Sequence, residues 1–362
     1  METIEEYENV RILNDEPEFV AGEKDDVKAE FFILCEENDS VVPNKRVCDC
    51  KICGMSILNW VVRACVSQPK VLNFSAEASV IQTIKPYIDD SADYSVVLFA
   101  DTPLLNRTHL SDLLSFVSKR RMNVCKLKRG YVFSNEYIKE NDEIFSVDEY
   151  DFASNDFFIV QTIDDLSKAQ EILNKKVLDY HKKNGVYFES EQNVCVDANT
   201  EIGYGSEIAS GVALTNCAKL GQNVKLQKNV IISGSKVEDD AKVGLGAMVI
   251  DSIVKEEVVI GEGVIIKNSV IGNNARIEAG SRVFSSSVRA AAFLHEGVLV
   301  DNSRIGENTI IDKHSKILGV ERKNIIEKNT EIGANCVVED CVISQNSRIY
   351  DNMILKNRVE EE

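Results

Sequence analysis

From residue 196 onward, large aliphatic side chains return at a fixed interval, and that interval limits what the chain can fold into. Val196, Ile202, Ile208, Leu214, Leu220, Leu226 and Ile232 lie six residues apart. The spacing then becomes six, six and five. Val237, Val254, Ile271, Val288 and Ile305 recur every seventeen residues; Val243, Ile260, Ile277, Leu294 and Ile311 follow them by six, and Val249, Ile266, Val283, Val300 and Ile317 by six more. All fifteen of these positions are Val, Ile or Leu in a chain that is 44% hydrophobic, so chance does not account for the register. Two residues earlier stand mostly small side chains, among them Thr200, Ser206, Ala241, Ala275, Ser281 and Ser315. In extended backbone, residues i and i−2 share a face. Each six-residue unit therefore sends one large and one small side chain inward and turns near Gly or Asn. Three units close a triangular coil, and stacked coils bury a continuous core. The pattern predicts about nine coils, the last anchored by Ile326, Ile332, Val338, Ile343, Ile349 and Leu355. About three extra residues near Gly319–Ile326 predict a loop that leaves the prism.

The first half has a different grammar. All five prolines lie at or before Pro103, and fifteen of nineteen glycines lie after position 200, a shift that marks a domain boundary. Strand-like runs are Glu30–Cys35, Asp93–Ala100, Gly130–Phe133 and Asp156–Val160; helical spacing covers Ser56–Val66, Thr108–Arg120 and Asp164–Tyr180. Such alternation predicts an α/β sheet covered by helices. The domain reading is an N-terminal extension over 1–27, an α/β domain over 28–185 and the β-helix over 192–357.

A formal net charge of −18 argues against an extended nucleic-acid or anionic-membrane surface. The acidic N-terminus lacks an apolar stretch, so no signal peptide is expected there, and no run of about 18 apolar residues exists to span a membrane. Ten irregularly spaced cysteines read as free thiols in a reducing cytoplasm.

Units such as IGENTI, IGEGVI and IGNNAR resemble those of left-handed β-helix proteins. The joint Tyr180–Val186 and the following Val196–Gly203 segment, behind an α/β domain, resemble the junction of the bacterial bifunctional UDP-N-acetylglucosamine pyrophosphorylase / glucosamine-1-phosphate N-acetyltransferase family. This chain is identified as a degenerate member of it. The resemblance implies a shortened nucleotidyltransferase-like α/β domain, a left-handed parallel β-helix, sugar-phosphate or nucleotide-sugar ligands and a homotrimer.

It also implies sites. The family's first strand runs into a Gly-rich loop whose backbone N–H groups approach a triphosphate. Here Phe31–Cys35 runs into Glu36-Glu37-Asn38-Asp39-Ser40, which holds no glycine and several carboxylates. Lys45 stands for the nucleotide-binding lysine. Asp101, in Asp101-Thr102-Pro103-Leu104-Leu105, stands for the Mg2+-binding aspartate, with a turn or cap role as the plain alternative. The second ligand position falls at Gln161, with Asp164 or Asp165 as substitutes. The stretch from Asp101 to Gly130 is too short for the family's full substrate-binding insertion.

On the β-helix, the general base for transfer from acetyl-CoA maps to His314, in His314-Ser315-Lys316-Ile317-Leu318-Gly319, one residue out of register with the preceding repeat; an ordinary turn is the alternative, more so for His295. Cys48, Cys50 and Cys53, with Cys35 or a distant His, form a partial metal pattern without a second half. Gly244-Leu245-Gly246 reads as a repeat turn. Three functions follow: a sugar-nucleotide enzyme relative with a degraded uridylyltransferase site, a β-helix acyltransferase using acetyl-CoA, or a non-catalytic scaffold or regulator.

Overall fold

The computed structural model describes residues 27–37, 40–145, 147–149 and 157–357. They fall into two compact units divided between Lys175 and Lys176. Almost all of the expected N-terminal extension lies outside the described residues.

The first unit is a six-stranded mixed sheet with helices. Its elements are β1 (Ala29–Glu36), the hairpin β2 (Lys51–Ile52) and β3 (Met55–Ser56), α1 (Ile57–Ala64), β4 (Lys70–Phe74), α2 (Val80–Ile84), β5 (Tyr94–Phe99), α3 (Arg107–Arg120), β6 (Val124–Leu127), β7 (Gly130–Ser134), α4 (Asn135–Glu140) and β8 (Asp148–Glu149). The sheet order is β4-β1-β5-β7-β6-β8. β4, β1 and β5 run parallel and β7 runs against β5. β1 is an interior strand, paired on both sides, and Phe31–Leu34 read as an unbroken apolar run because side chains on both of its faces are buried. α1 starts where the Ser56 hydroxyl accepts the Asn59 N–H, and α3 starts at Asn106 in the same way, through Thr108.

Among the described residues, the strand expected over Asp156–Val160 does not form, and Asp156 itself lies outside them. Phe157–Val160 is irregular, and its Val160 N–H reaches the Asp101 carbonyl at 2.9 Å. Phe157 and Val160 are buried but belong to no strand, so hydrophobicity alone misread the segment. The helix α5 (Ile163–Lys183) then runs through the division between the units.

The second unit is a three-sided parallel β-helix of the left-handed, hexapeptide-repeat class. Its three sheets hold ten, nine and ten strands, so it makes about ten turns, one more than the sequence count. Tyr187–Phe188 is its first strand and Ile354–Lys356 its last. Pairs such as Val243↔Ile260, Val249↔Ile266 and Val254↔Ile271 stack each periodic residue on its repeat. Their side chains are buried in one column, each contributing about 1.5–3 kcal/mol. The corners take left-handed backbone at Asn223, Asn229, Asn274, Asn308 and their equivalents, where Asn and Gly are best tolerated.

The five-residue unit has its own chemistry. Ser235, Ser252, Ser269, Ser286 and Ser303 form a buried ladder seventeen residues apart. The N–H of each of the last four donates to the hydroxyl of the serine one coil earlier, at 2.9–3.1 Å. Each hydroxyl donates to the carbonyl two residues before it, as Ser269 does to Lys267 at 2.8 Å. The shortened corner thus satisfies its buried N–H groups with side chains. Ile326 follows Ile305 by twenty-one residues, so the insertion is four residues, not three. It does not hang free: the buried Asp340 carboxylate accepts the N–H groups of Val320, Glu321 and Arg322 at 2.8–3.1 Å.

Two outcomes follow from this packing. Ser269→Ala leaves the Ser286 N–H buried without an acceptor and should cost about 1–3 kcal/mol in urea melts. Ser287→Ala, on the outer face, should cost under about 0.5 kcal/mol. His181, in the last turn of α5, is 2% exposed, and burial pushes its imidazole down to about 4 from 6.5. The unfolded chain therefore takes the proton first as pH falls through 6.5. Stability is insensitive to this group above that pH and declines between 6.5 and 4, by about 2 kcal/mol at pH 5. Melts of His181→Gln between pH 7 and 5 should lose that slope relative to wild type.

Candidate functional site

Parallel pairing decides what gathers at the C-terminal ends of β1 and β5. Leu34 lies opposite Phe99, so continuing the register two residues brings Glu36 level with Asp101. The turn Lys128–Arg129 between β6 and β7 reaches the same edge, because Leu98 lies opposite Gly130. Gly130 has φ 132°, and a Cβ there would stand 2.3 Å from the Val97 carbonyl oxygen. Only glycine lets this hairpin approach β5 so closely.

The result is one cation between two carboxylates. Arg129 donates to Asp101 Oδ2 from Nε at 2.8 Å and from Nη2 at 2.7 Å. Its Nη2 also donates to Glu36 Oε1 at 2.8 Å. The guanidinium lies over the Phe99 ring, 4.1 Å from its centroid. Asp101 is buried, whereas Arg129 and Glu36 keep about a quarter of their side chains exposed. Desolvation works against the Arg129 charge, but Asp101 and Glu36 more than offset it and hold the guanidinium above its ordinary value. Leu34, Glu36, Val47, Cys48, Phe99, Ala100, Asp101 and Arg129 line a cavity of about 10 Å³, room for one water.

Asp101 therefore lies at the strand ends, as expected of it. A divalent cation does not fit this arrangement, because a guanidinium already neutralises the Asp101 carboxylate and would repel a second cation beside it. The substitutes for a second ligand are committed elsewhere or exposed: the Asp165 carboxylate accepts the Thr162 N–H, the Thr162 hydroxyl accepts the Asp165 N–H, and the pair caps α5 reciprocally. Asp164 and Gln161 are exposed. Lys45 is exposed in the tight turn Val42–Lys45 and is not among the residues lining the cavity.

The cysteine pattern does not form a metal site: among the described residues no three His, Cys, Asp or Glu side chains are placed to hold an ion. Cys50 instead donates to the Arg46 carbonyl at 3.5 Å, and Cys53 receives Gln170. Cys35 and Cys48 share a hydrogen bond that lowers Cys48 and raises Cys35.

On the β-helix, His314 is exposed at a corner with φ 57°. It lies in register after all, seventeen residues after Gly297, and its Nδ1 stands over that glycine. Other members of this corner column are Asn229, Gly246, Gly263 and Gly280. His295 faces Glu278 of the coil before at 3.1 Å, and Gly246 confirms Gly244-Leu245-Gly246 as a corner. A groove of about 710 Å³ runs along a different side; Lys255, Arg289, Arg304 and Lys328 stand among its lining, with Val270 and Ile325. His314 is not part of it.

Sequence reasoning missed Arg129. The available signal was the Lys-Arg-Gly turn between two short strands; which carboxylates it would meet depended on sheet order.

No family model matches the chain. Bifunctional protein GlmU of Streptococcus suis (strain 98HAH33) is 30% identical over 94 residues, 26% of this chain and 19% of that protein. GlmU of Clostridioides difficile (strain 630) is 28% identical over 97 residues, 27% of this chain and 21% of that protein. The chain thus spans about a fifth of the length of the curated relatives it matches. The crystal structure of Rv0371c from Mycobacterium tuberculosis H37Rv aligns at a TM-score of 0.32 and 12% identity over 40% of this chain and 98% of that one. No helix among the described residues is long and apolar enough to cross a membrane.

Proposed function

We propose that this GlmU-like chain with its hexapeptide β-helix is a relative of sugar-nucleotide enzymes whose α/β unit has lost uridylyl transfer and whose β-helix acts as a trimeric scaffold. The cavity at the strand ends carries this reading. It offers about 10 Å³, whereas small-molecule sites usually enclose roughly 300–1,000 Å³. The loop beyond β1 opens with Glu36 and Glu37 and has no glycine, so a triphosphate would meet carboxylates in place of backbone N–H groups. Removing the phosphate cradle and the metal together removes most electrostatic stabilisation of phosphoryl transfer.

A scaffold needs a face to assemble on. One sheet of the prism turns Ile231, Met248, Ile265, Arg282 and Leu299 outward in one row, apolar except at the exposed Arg282. Three copies packed head to tail along such a largely apolar side would close a ring. Sugar phosphates or nucleotide-sugars are the small molecules this reading retains as ligands, and the buried free thiols fit a reducing cytoplasm. Full-length protein with UTP, a hexosamine 1-phosphate and Mg2+ should release no pyrophosphate above the blank, and should sediment at three times the chain mass. Release that disappears in Asp101→Asn overturns the loss of transfer; a monomer overturns the scaffold.

The groove favours a second reading, acyl transfer from acetyl-CoA. Its four basic side chains, set against Glu307 and Glu327 in the same lining, suit a phosphate-bearing ligand in an acidic chain, although Lys255 already pairs with Glu238. His314 at another corner would have to be the base for the amine. Thiol release from acetyl-CoA with glucosamine 1-phosphate, reduced at least a hundredfold in His314→Ala, supports this reading; no release from the wild-type chain eliminates it.

A further inference from the structure

We infer that Arg129 is a built-in cation that occupies the divalent-metal position at the strand ends of the α/β unit, making that unit metal-independent. The inference rests on the reading of this edge as a former nucleotidyltransferase site, and it adds what became of the metal position and which residue took it.

The parallel register forces Glu36 and Asp101 to the same level of one sheet edge. Asp101 is buried, and a buried carboxylate needs a compensating charge or must take up a proton. A divalent cation could supply that charge, bridging two carboxylates at oxygen distances of roughly 2.0–2.6 Å. Arg129 supplies it from within the chain. Its fork gives two N–H groups to Asp101 Oδ2 and shares one of them with Glu36 Oε1, and Phe99 supports the guanidinium face. The two-residue turn and the close approach at Gly130 fix its origin, so the cation arrives with the fold and does not depend on any solution concentration. Guanidinium and metal compete here, because both would neutralise the same Asp101 carboxylate and their charges repel in a poorly solvated cavity.

Removing the guanidinium should therefore uncover a metal site. The test is Mn2+ binding to the full chain, followed by loss of the free-ion electron paramagnetic resonance signal. The diffuse acidic surface sets the baseline, so the readout is the equivalent that depends on Asp101. Wild type, Asp101→Asn and Arg129→Lys should bind alike. Arg129→Gln should gain one equivalent, at least tenfold tighter than the baseline, and Arg129→Gln/Asp101→Asn should lose it again. If Arg129→Gln is unfolded as purified, Mn2+ should refold it and leave the double variant unfolded. The inference is overturned if wild type holds an Mn2+ that Asp101→Asn removes. It is equally overturned if folded Arg129→Gln gains none, or if the unfolded variant does not respond. Pyrophosphate release by the wild-type chain is a separate result that would sink the lost-transferase reading, whatever the Mn2+ titration shows.

Discussion

Each coil of the β-helix must return to within a strand spacing of its starting point, about 4.8 Å further along the axis, and this closure dictates the repeat. The backbone groups of each strand then pair with the coils before and after, and the periodic aliphatic side chains land on their own repeat. Seventeen residues suffice only because one corner is a residue shorter than the other two. The serine ladder makes that corner possible. Its hydroxyls take the N–H groups that the tight turn withholds from the strand ladder. Where the chain departs from the period, Asp340 performs a related service and gathers three N–H groups of the insertion. A column of aliphatic side chains supplies the burial, and polar side chains at the corners keep the backbone satisfied where regular pairing fails.

The α/β unit shows the same economy of partners at its two sheet ends. At the starts of β1 and β5, Glu30 accepts Ser95, Asn135 and Lys70. At the opposite ends, Glu36 and Asp101 meet Arg129. A nucleotide site needs open space and N–H groups directed at phosphate; this edge offers an ion pair on an aromatic ring, with room for one water. The difference lies in a few residues on an unchanged type of sheet, which is why fold alone does not carry function.

Much of this was legible from residue order. The seventeen-residue interval gave the β-helix, the apolar run Phe31–Leu34 gave a buried strand, and the Asp-Thr-Pro segment marked a strand end. Other expectations failed for identifiable reasons. Phe157–Val160 has the hydrophobicity of a strand but forms none, and its Val160 N–H goes to the Asp101 carbonyl, because apolar content does not say whether a partner edge is free. The three cysteines near Cys48 are close in sequence and point to different partners. His314 read as displaced from the repeat, yet it occupies the corner column of Gly297; histidine tolerates left-handed backbone better than most side chains, so the corner absorbs it.

The sequence by itself determined the local periods: which residues turn inward, where the corners fall, and which strands are buried on both faces. These depend on neighbours a fixed number of residues away, so they are written in order along the chain. Only the tertiary structure decided what meets at the edge of the α/β sheet. Glu36, Asp101 and Arg129 come from a strand end, a loop and a hairpin turn; their meeting depends on strand order and register, which no local pattern encodes. An aspartate with the spacing of a metal ligand therefore ends up paired with an arginine twenty-eight residues further along the chain.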